Sequence, residues 1–270
     1  MNKIYNWLFG PKPPPTKTLD TANTAPLSDQ QLQAIVSNQN PRFDMQQLIA
    51  AGGQSVGKQR ELNEDSLLAI TSTMAGNSGN LPFALYIIAD GMGGHQFGEV
   101  ASNAAIRTVA GYVLRKFHSY LFQIKTDTMD ESFQEIMLAA VSEAQRAIQR
   151  EAPGSGTTLT AALVLGQQIT VAHVGDSRAY FVYPDGRIEA ITRDHSLVKR
   201  LEELGHISPE EAENYPHRNV LYRALGQGEI LEPDIFTVAF PQPATLMICS
   251  DGLWGVVSEQ DLVRSINEAP

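Results

Sequence analysis

Three apolar runs in this chain each end in an aspartate, with glycine alongside. Leu85-Tyr86-Ile87-Ile88-Ala89 leads into Asp90-Gly91, Val171-Ala172-His173-Val174-Gly175 into Asp176, and Leu246-Met247-Ile248-Cys249-Ser250 into Asp251-Gly252. Short continuous apolar runs of this kind read as strands buried on both faces. An acid at such an end sits on a sheet rim, where glycine lets the backbone turn sharply or approach a ligand. Any one Asp-Gly is also a common turn dipeptide; several at strand ends argue for a shared site. A fourth acidic pair, Glu64-Asp65, precedes the strand-like Ser66–Ile70. Carboxylates gathered on one rim repel one another unless cations hold them. Their oxygens are hard ligands suited to Mg²⁺ or Mn²⁺. Arg60, close by, carries a forked cation that matches a phosphate. A surface pairing of Arg60 with Glu61 or Glu64 fits its spacing equally well.

The remaining pattern fixes how these rims are built. Leu48–Val56, Ser66–Ile70 and Phe83–Ala89 have strand character. Two helices follow: one with Phe97, Val100, Ala101, Ala104, Ala105, Val109 and Tyr112 at helical spacing, the other with Phe133, Ile136, Met137, Ala140, Val141, Ala144 and Ile148. Thr158–Leu165, Ile169–Val174, Ala179–Tyr183 and Arg187–Thr192 are strands joined by turns too short for parallel crossovers, so they read as an antiparallel meander. Ser196–Leu204 and Pro209–Asn214 read as short helices, the second opened by Ser208-Pro209-Glu210-Glu211. Ile235–Phe240 and Thr245–Cys249 complete the strands before a final helix from about Glu259. Runs of strands alternating with paired helices define an α+β class, with two antiparallel sheets in a sandwich covered by helices.

Composition narrows the function. With 20 Lys+Arg against 30 Asp+Glu, the net charge is −10, which argues against a nucleic-acid binder. The single cysteine, Cys249, excludes an internal disulfide framework and a Cys-built zinc site. The six histidines, His95, His118, His173, His195, His206 and His217, show no paired ligand spacing. Apolar runs stop well short of the roughly 20 residues of a membrane span, and no secretory signal opens the chain. A cytoplasmic protein is expected. Residues 1–45 hold six of the 15 prolines and carry +1, leaving −11 on the remainder. They read as a flexible extension, with 46–270 as the folded domain.

Taken in order, Arg60-Glu61-Leu62-Asn63-Glu64-Asp65, Asp90-Gly91-Met92-Gly93-Gly94, Gly156-Thr157-Thr158, Gly175-Asp176-Ser177-Arg178, Asp194-His195-Ser196, Arg223-Ala224-Leu225-Gly226 and Ser250-Asp251-Gly252-Leu253-Trp254 resemble the metal-dependent protein phosphatase 2C family, in its bacterial branch. The resemblance runs from about Leu48 to the C-terminus. It implies a four-layer αββα sandwich flanked by antiparallel helix pairs. It also implies hydrolysis of phosphoserine and phosphothreonine in proteins with two or three Mn²⁺ or Mg²⁺ ions. By matched position, Asp90 bridges two metals and the Gly91 carbonyl binds one. Asp251 holds the first ion, and Glu64 or Asp65 serves the second, directly or through water. Asp176 with Asp251 holds a more labile third ion, and Arg60 grips the substrate phosphate. Partners implied are phosphorylated targets of a Ser/Thr kinase, acted on by a monomer, and residues 196–220 take the place of a flap beside the site.

Two departures from the family carry expectations of their own. Met92 stands where the eukaryotic branch has a histidine proposed as general acid, leaving a metal-bound water or His195 as candidates and a structural His195 as the favoured reading. The last strand with its Asp-Asn metal motif finds no match, so truncation and weakened metal binding are expected. That gap keeps two alternatives in view: a non-catalytic module sensing phosphoproteins or metal, and a di-metal phosphodiesterase. Two decoys fail on context. Gly52–Gln59 approximates a phosphate-binding P-loop and contains Gly53-Gln54-Ser55-Val56-Gly57, a serine-hydrolase elbow pattern, yet no apolar helix follows.

Overall fold

A long hairpin organises the molecule, seen in a computed structural model that describes residues 47–58, 60–76, 79–92, 97–121, 131–213, 215–228 and 231–269. Its strands, β1 (Asp65–Gly76) and β2 (Gly79–Met92), pair antiparallel along their whole length. They exceed the apolar stretches that announce them because the ladder extends through polar residues at both ends. Two helices follow, α1 (Gly98–Leu121) and α2 (Phe133–Glu151). Then come β3 (Gly156–Thr157), β4 (Leu159–Leu165), β5 (Gln168–Val174), β6 (Arg178–Val182) and β7 (Ile188–Ala190). Short helices α3 (Leu197–Glu203) and α4 (Pro209–Glu213) precede β8 (Asp234–Ala239) and β9 (Thr245–Cys249). The one-turn α5 (Asp251–Trp254) and α6 (Glu259–Asn267) complete the described chain.

Two antiparallel sheets result, one ordered β1-β2-β4-β5-β8 with β3 attached to β2, the other β7-β6-β9. The expected meander is therefore split. β4 and β5 stay in the large sheet while β6 and β7 enter the small one. The crossing occurs at Gly175, whose φ of +108° lets the chain leave β5 in a direction that other residues resist. Leu48–Val56 is not a strand either. Gly52-Gly53 interrupt it, it joins no ladder among the described residues, and Ile49 is 95% exposed. Only Leu48 reaches the core.

Alternation along each strand divides the apolar residues between layers. Across the large sheet Ala84 faces Val164, Val164 faces Ile169, and Ile169 faces Val238. All four belong to the inter-sheet core with Phe181, Leu246 and Ile248 of the small sheet. Neighbouring positions Leu85, Ile87, Leu159, Ala161 and Leu163 face the other way, into α1 and α2. Every residue of β4 is buried because both its faces are covered. On α1 the buried stripe runs Ala101, Ala104, Ala105, Val109, Val113 and Phe117, and its alanines let α2 approach closely. Phe97 is 48% exposed, contrary to the helical reading. It stands before the first turn, where its carbonyl accepts the Ala101 N–H and its side chain points outward. The sequence-derived stripe of α2 is buried, apart from a half-buried Phe133. A capping box, Ser132 with Glu135, starts that helix. Outside the small sheet, Tyr180, Val182 and Cys249 pack under Trp254, Val263 and Ile266. The layers are thus helix, sheet, sheet, helix. No helix among the described residues is long and apolar enough to cross a membrane.

One polar residue sits deep in this frame. His173 on β5 has Nδ1 2.9 Å from Thr160 Oγ1 and Nε2 3.0 Å from the Arg193 carbonyl. Burial, with the nearby His195 ring, lowers its pKa to about 3. It stays neutral in the fold while the unfolded chain takes up a proton below its ordinary pKa near 6.5. Stability is therefore lost as pH falls from that value toward 3, at up to about 1.4 kcal/mol per pH unit. Asp90 and Asp176, raised in the fold, titrate the opposite way over the same range, so the loss is read as a difference between two proteins. Between pH 6.5 and 5 the urea midpoint of the wild type should fall relative to that of His173→Leu.

Candidate metal centre

Asp65 and Asp90 stand directly opposite each other in the β1–β2 register. Two like charges at facing positions destabilise a ladder, so this end of the hairpin must be held by other bonds. Asp90 is fixed through its backbone. Its N–H donates to Thr158 Oγ1 at 2.9 Å, and its carbonyl accepts from the Thr158 N–H and the Thr157 hydroxyl, each at 2.9 Å. Thr158 Oγ1 also lies 2.7 Å from Ser177 Oγ, which ties the strand to the Gly175-Asp176-Ser177 turn. Asp65 accepts a 2.8 Å hydrogen bond from Ser250 Oγ, the residue that introduces Asp251 at the head of α5. Four strand ends and one helix start therefore converge.

The acids at this rim act on one another's ionisation. The Asp90 carboxyl is pushed up to about 9, first by burial and then by the charges of Asp65 and Asp251, with Asp176 adding less. Asp176 is raised to about 7, again mainly by burial, then by Asp251 and Asp194. Glu64 is turned elsewhere. Its Oε2 accepts from Arg60 Nη1 at 3.2 Å, and its carbonyl accepts from Ser102 Oγ at 2.6 Å and from the Gly91 N–H at 3.2 Å. Arg60 thus makes the surface pairing that its spacing also allowed, and its side chain is 68% exposed. Of the sequence-derived set, Asp65, Asp90, Asp176 and Asp251 come together, Gly91 and Glu64 lie against the start of α1, and Arg60 stands at the edge. Nothing in the described residues continues the decoy at Gly52 into a helix.

Glycine is obligatory at 91. A Cβ there would lie 2.2 Å from the Gly98 carbonyl oxygen and 2.7 Å from that of Glu64, both backbone atoms. His195 is structural, as favoured. It is 1% exposed, its Nδ1 accepts the Gly175 N–H at 3.2 Å, and its Nε2 faces Asp234 Oδ2 at 3.2 Å. Burial lowers its pKa, so it holds the turn as a neutral ring. Sequence motifs pointed to Arg178, Asp194 and Trp254 without assigning them a role. The structure places all three beside Asp176. Together with Ser196, Lys199, Glu202, Arg218 and Asp251 they line an open cleft of about 790 Å³, one wall of which is α3–α4.

Among the described residues, no group of three or more His, Cys, Asp or Glu side chains is placed to hold a metal ion. The donor set nevertheless fits a hard divalent cation. Its side chains are all oxygen donors, and an acid held protonated to about pH 9 marks a buried site short of positive charge. Fold and site together define a class. The protein phosphatase 2C family model matches residues 49–212, and the chain belongs to that metal-dependent family. Its similarity to the serine/threonine phosphatase stp of Listeria monocytogenes is 38% identity over 214 residues, covering 76% of this chain and 78% of that one. A crystal structure of the Mycobacterium tuberculosis serine/threonine phosphatase PstP/Ppp superposes with a TM-score of 0.61 at 33% identity, over 78% of this chain and 82% of that one. The PstP catalytic domain in complex with two manganese ions gives 0.57 at 31% identity, over 79% and 81%. The protein is accordingly a protein-serine/threonine phosphatase of bacterial type, and neither the sensor nor the phosphodiesterase alternative is favoured.

Gly91→Ala should lower the thermal midpoint, since two carbonyls rather than a flexible side chain must yield. Overpacking of this kind costs about 1–3 kcal/mol. Differential scanning calorimetry of the two proteins would measure it, with Gly53→Ala, a site open on all sides and without a positive φ, as the reference.

Proposed function

We propose that Asp65, Asp90, the Gly91 carbonyl and Asp251 hold two Mn²⁺ or Mg²⁺ ions for the hydrolysis of phosphoserine and phosphothreonine. Asp176 with Asp251 serves a third, more labile ion. The observation that carries this reading is the meeting of Asp65, opposite Asp90 in the ladder and bonded to Ser250, with Asp176 and Asp251 at one rim, where burial first and the neighbouring acids second raise the Asp90 pKa to about 9. Divalent ions bound there lower the pKa of water and offset charge on the phosphoryl oxygens. Asp65 is better placed than Glu64 to share them, because Glu64 is spent on Arg60 and on the packing at Gly98. Arg60 is the phosphate clamp. Its exposed guanidinium leaves Glu64 for a substrate phosphate by a side-chain rotation alone. The α3–α4 segment forms the flap over the neighbouring cleft, and the substrates are phosphoproteins made by a Ser/Thr kinase in the cytoplasm. Cys249 takes no part as a nucleophile. It is buried beneath Trp254, and its thiol is held up to about 11.

Phosphatase activity on phosphopeptides should be lost with EDTA and restored by Mn²⁺. Asp90→Asn and Asp251→Asn should abolish turnover. Arg60→Ala should chiefly raise KM for phosphopeptides, and an unchanged KM would remove Arg60 from the site.

Stability should move the opposite way at Asp90. Its folded pKa lies above its unfolded value, so the metal-free fold is favoured below about pH 4 and loses that advantage as pH rises toward 9. Metal-free Asp90→Asn, which carries no charge to desolvate, should therefore exceed the metal-free wild type at pH 8 by at least about 1 kcal/mol. Urea denaturation in EDTA decides this, and a less stable variant would contradict a frustrated acid cluster.

A further inference from the structure

Asp176 and Asp251 come from different parts of the chain, and only Asp251 belongs to a helix. That helix, α5, is one turn long, with Asp251 at its start and Trp254 at its end. Trp254 Nε1 donates a 3.0 Å hydrogen bond to the carbonyl of Asp176. One turn therefore carries both a cluster carboxylate and the group that grips the backbone of its partner. The indole is itself clamped. The Arg178 guanidinium lies over its ring, 3.6 Å from the centroid. Arg178 in turn forks onto Asp194, Nε to Oδ1 at 2.9 Å and Nη2 to Oδ2 at 2.8 Å, and donates from Nη1 to the Tyr180 hydroxyl at 3.1 Å. Asp194 is buried, and a buried bidentate pair of this kind has little freedom to shift. On its other side the Asp176 turn is held by His195 at Gly175 and by Thr158 at Ser177.

We propose that Trp254, clamped by Arg178 and Asp194, is a positioning residue that sets the separation of Asp176 and Asp251 and thereby the affinity for the labile ion between them. Asp176 and Asp251 each lie two residues beyond the Arg178–Cys249 rung of the β6–β9 ladder, past its last paired step. The indole N–H is the bond that ties the Asp176 carbonyl to α5 across that open end, and without it the two carboxylates drift apart. This rests on the metal assignment above, and it ascribes to the sequence features Gly-Asp-Ser-Arg, Asp-His-Ser and Ser-Asp-Gly-Leu-Trp one shared task. Arg178 stacks and forks in the same plane, which lysine cannot do.

Calorimetric titration of the full metal-free chain with Mn²⁺ tests it, using Trp254→Phe, which keeps an aromatic ring for Arg178 and loses the donor with the five-membered half of the indole. The expected result is a roughly tenfold weaker Kd for the weakest ion, about one hydrogen bond's worth, with the tighter ions unmoved. Arg178→Lys should shift the same ion in the same direction. Asp176→Asn, which removes the acid itself, marks which phase of the isotherm is the labile site. If wild type binds Mn²⁺ and neither variant moves that phase, the positioning role is overturned while the metal assignment stands. If wild type binds no Mn²⁺, the assignment itself fails. A change spread equally over every ion would show a merely structural tryptophan and also overturns the proposal. Should Trp254→Phe fail to fold by circular dichroism, Arg178→Lys decides alone.

Discussion

Two carboxylates facing each other across an antiparallel ladder are the interaction on which the rest depends. Asp65 and Asp90 occupy the last acidic step of the β1–β2 hairpin, and nothing about strand pairing favours that arrangement. The chain instead surrounds it with neutral donors aimed at the backbone and side chains. Thr157 and Thr158 fix Asp90, Ser250 fixes Asp65, and Ser102 with the Gly91 amide fixes the Glu64 carbonyl. None of these donors carries charge, so none neutralises the acids. Position is supplied by the protein, and charge balance is left for an ion to supply.

This separation of tasks explains why the sheets are built as they are. A mobile acid cluster would relieve its own repulsion by spreading apart. Anchoring Asp90 to β3 and β4, Asp176 to α5, and Asp65 to Ser250 draws on both sheets of the sandwich. The inter-sheet core of Ala84, Val164, Ile169 and Phe181 then keeps those anchors in register. The desolvation that raises Asp90 and Asp176 is the direct result of seating the acids in this packed rim, and a cation reverses both shifts at once.

Much of this was legible in the sequence, and for identifiable reasons. Apolar runs ending beside an aspartate announced the rim because burial on both faces leaves β2 and β5 little polar alternation. The α2 stripe was readable from its spacing and its Ser132–Glu135 start. Failures occurred where a strand's neighbour, rather than its own residues, decides. Leu48–Val56 has the composition of a strand but lacks a partner ladder. Likewise, β6 looks continuous with β5 until the positive φ of Gly175 sends it to the other sheet. Phe97 misled because a helix boundary shifts which residues face inward. Glu64 and Asp65 could not be separated by spacing, since only the register shows which of them opposes Asp90.

Arg60 illustrates a different limit. Sequence spacing allowed a phosphate clamp or a surface ion pair, and the structure shows the pair with Glu64. An exposed Arg–Glu pair is worth roughly 0–1 kcal/mol, whereas a guanidinium forked onto a phosphate dianion forms charge-assisted bonds about twice as strong as neutral ones. The pair with Glu64 therefore holds Arg60 at little cost and little gain. The buried Arg178–Asp194 pair behaves oppositely. Its partner is desolvated and bidentate, so it does not exchange, and a cation fixed that way serves geometry rather than binding. Exposure is what separates the two arginines: one is paired at the surface, the other is locked into the frame.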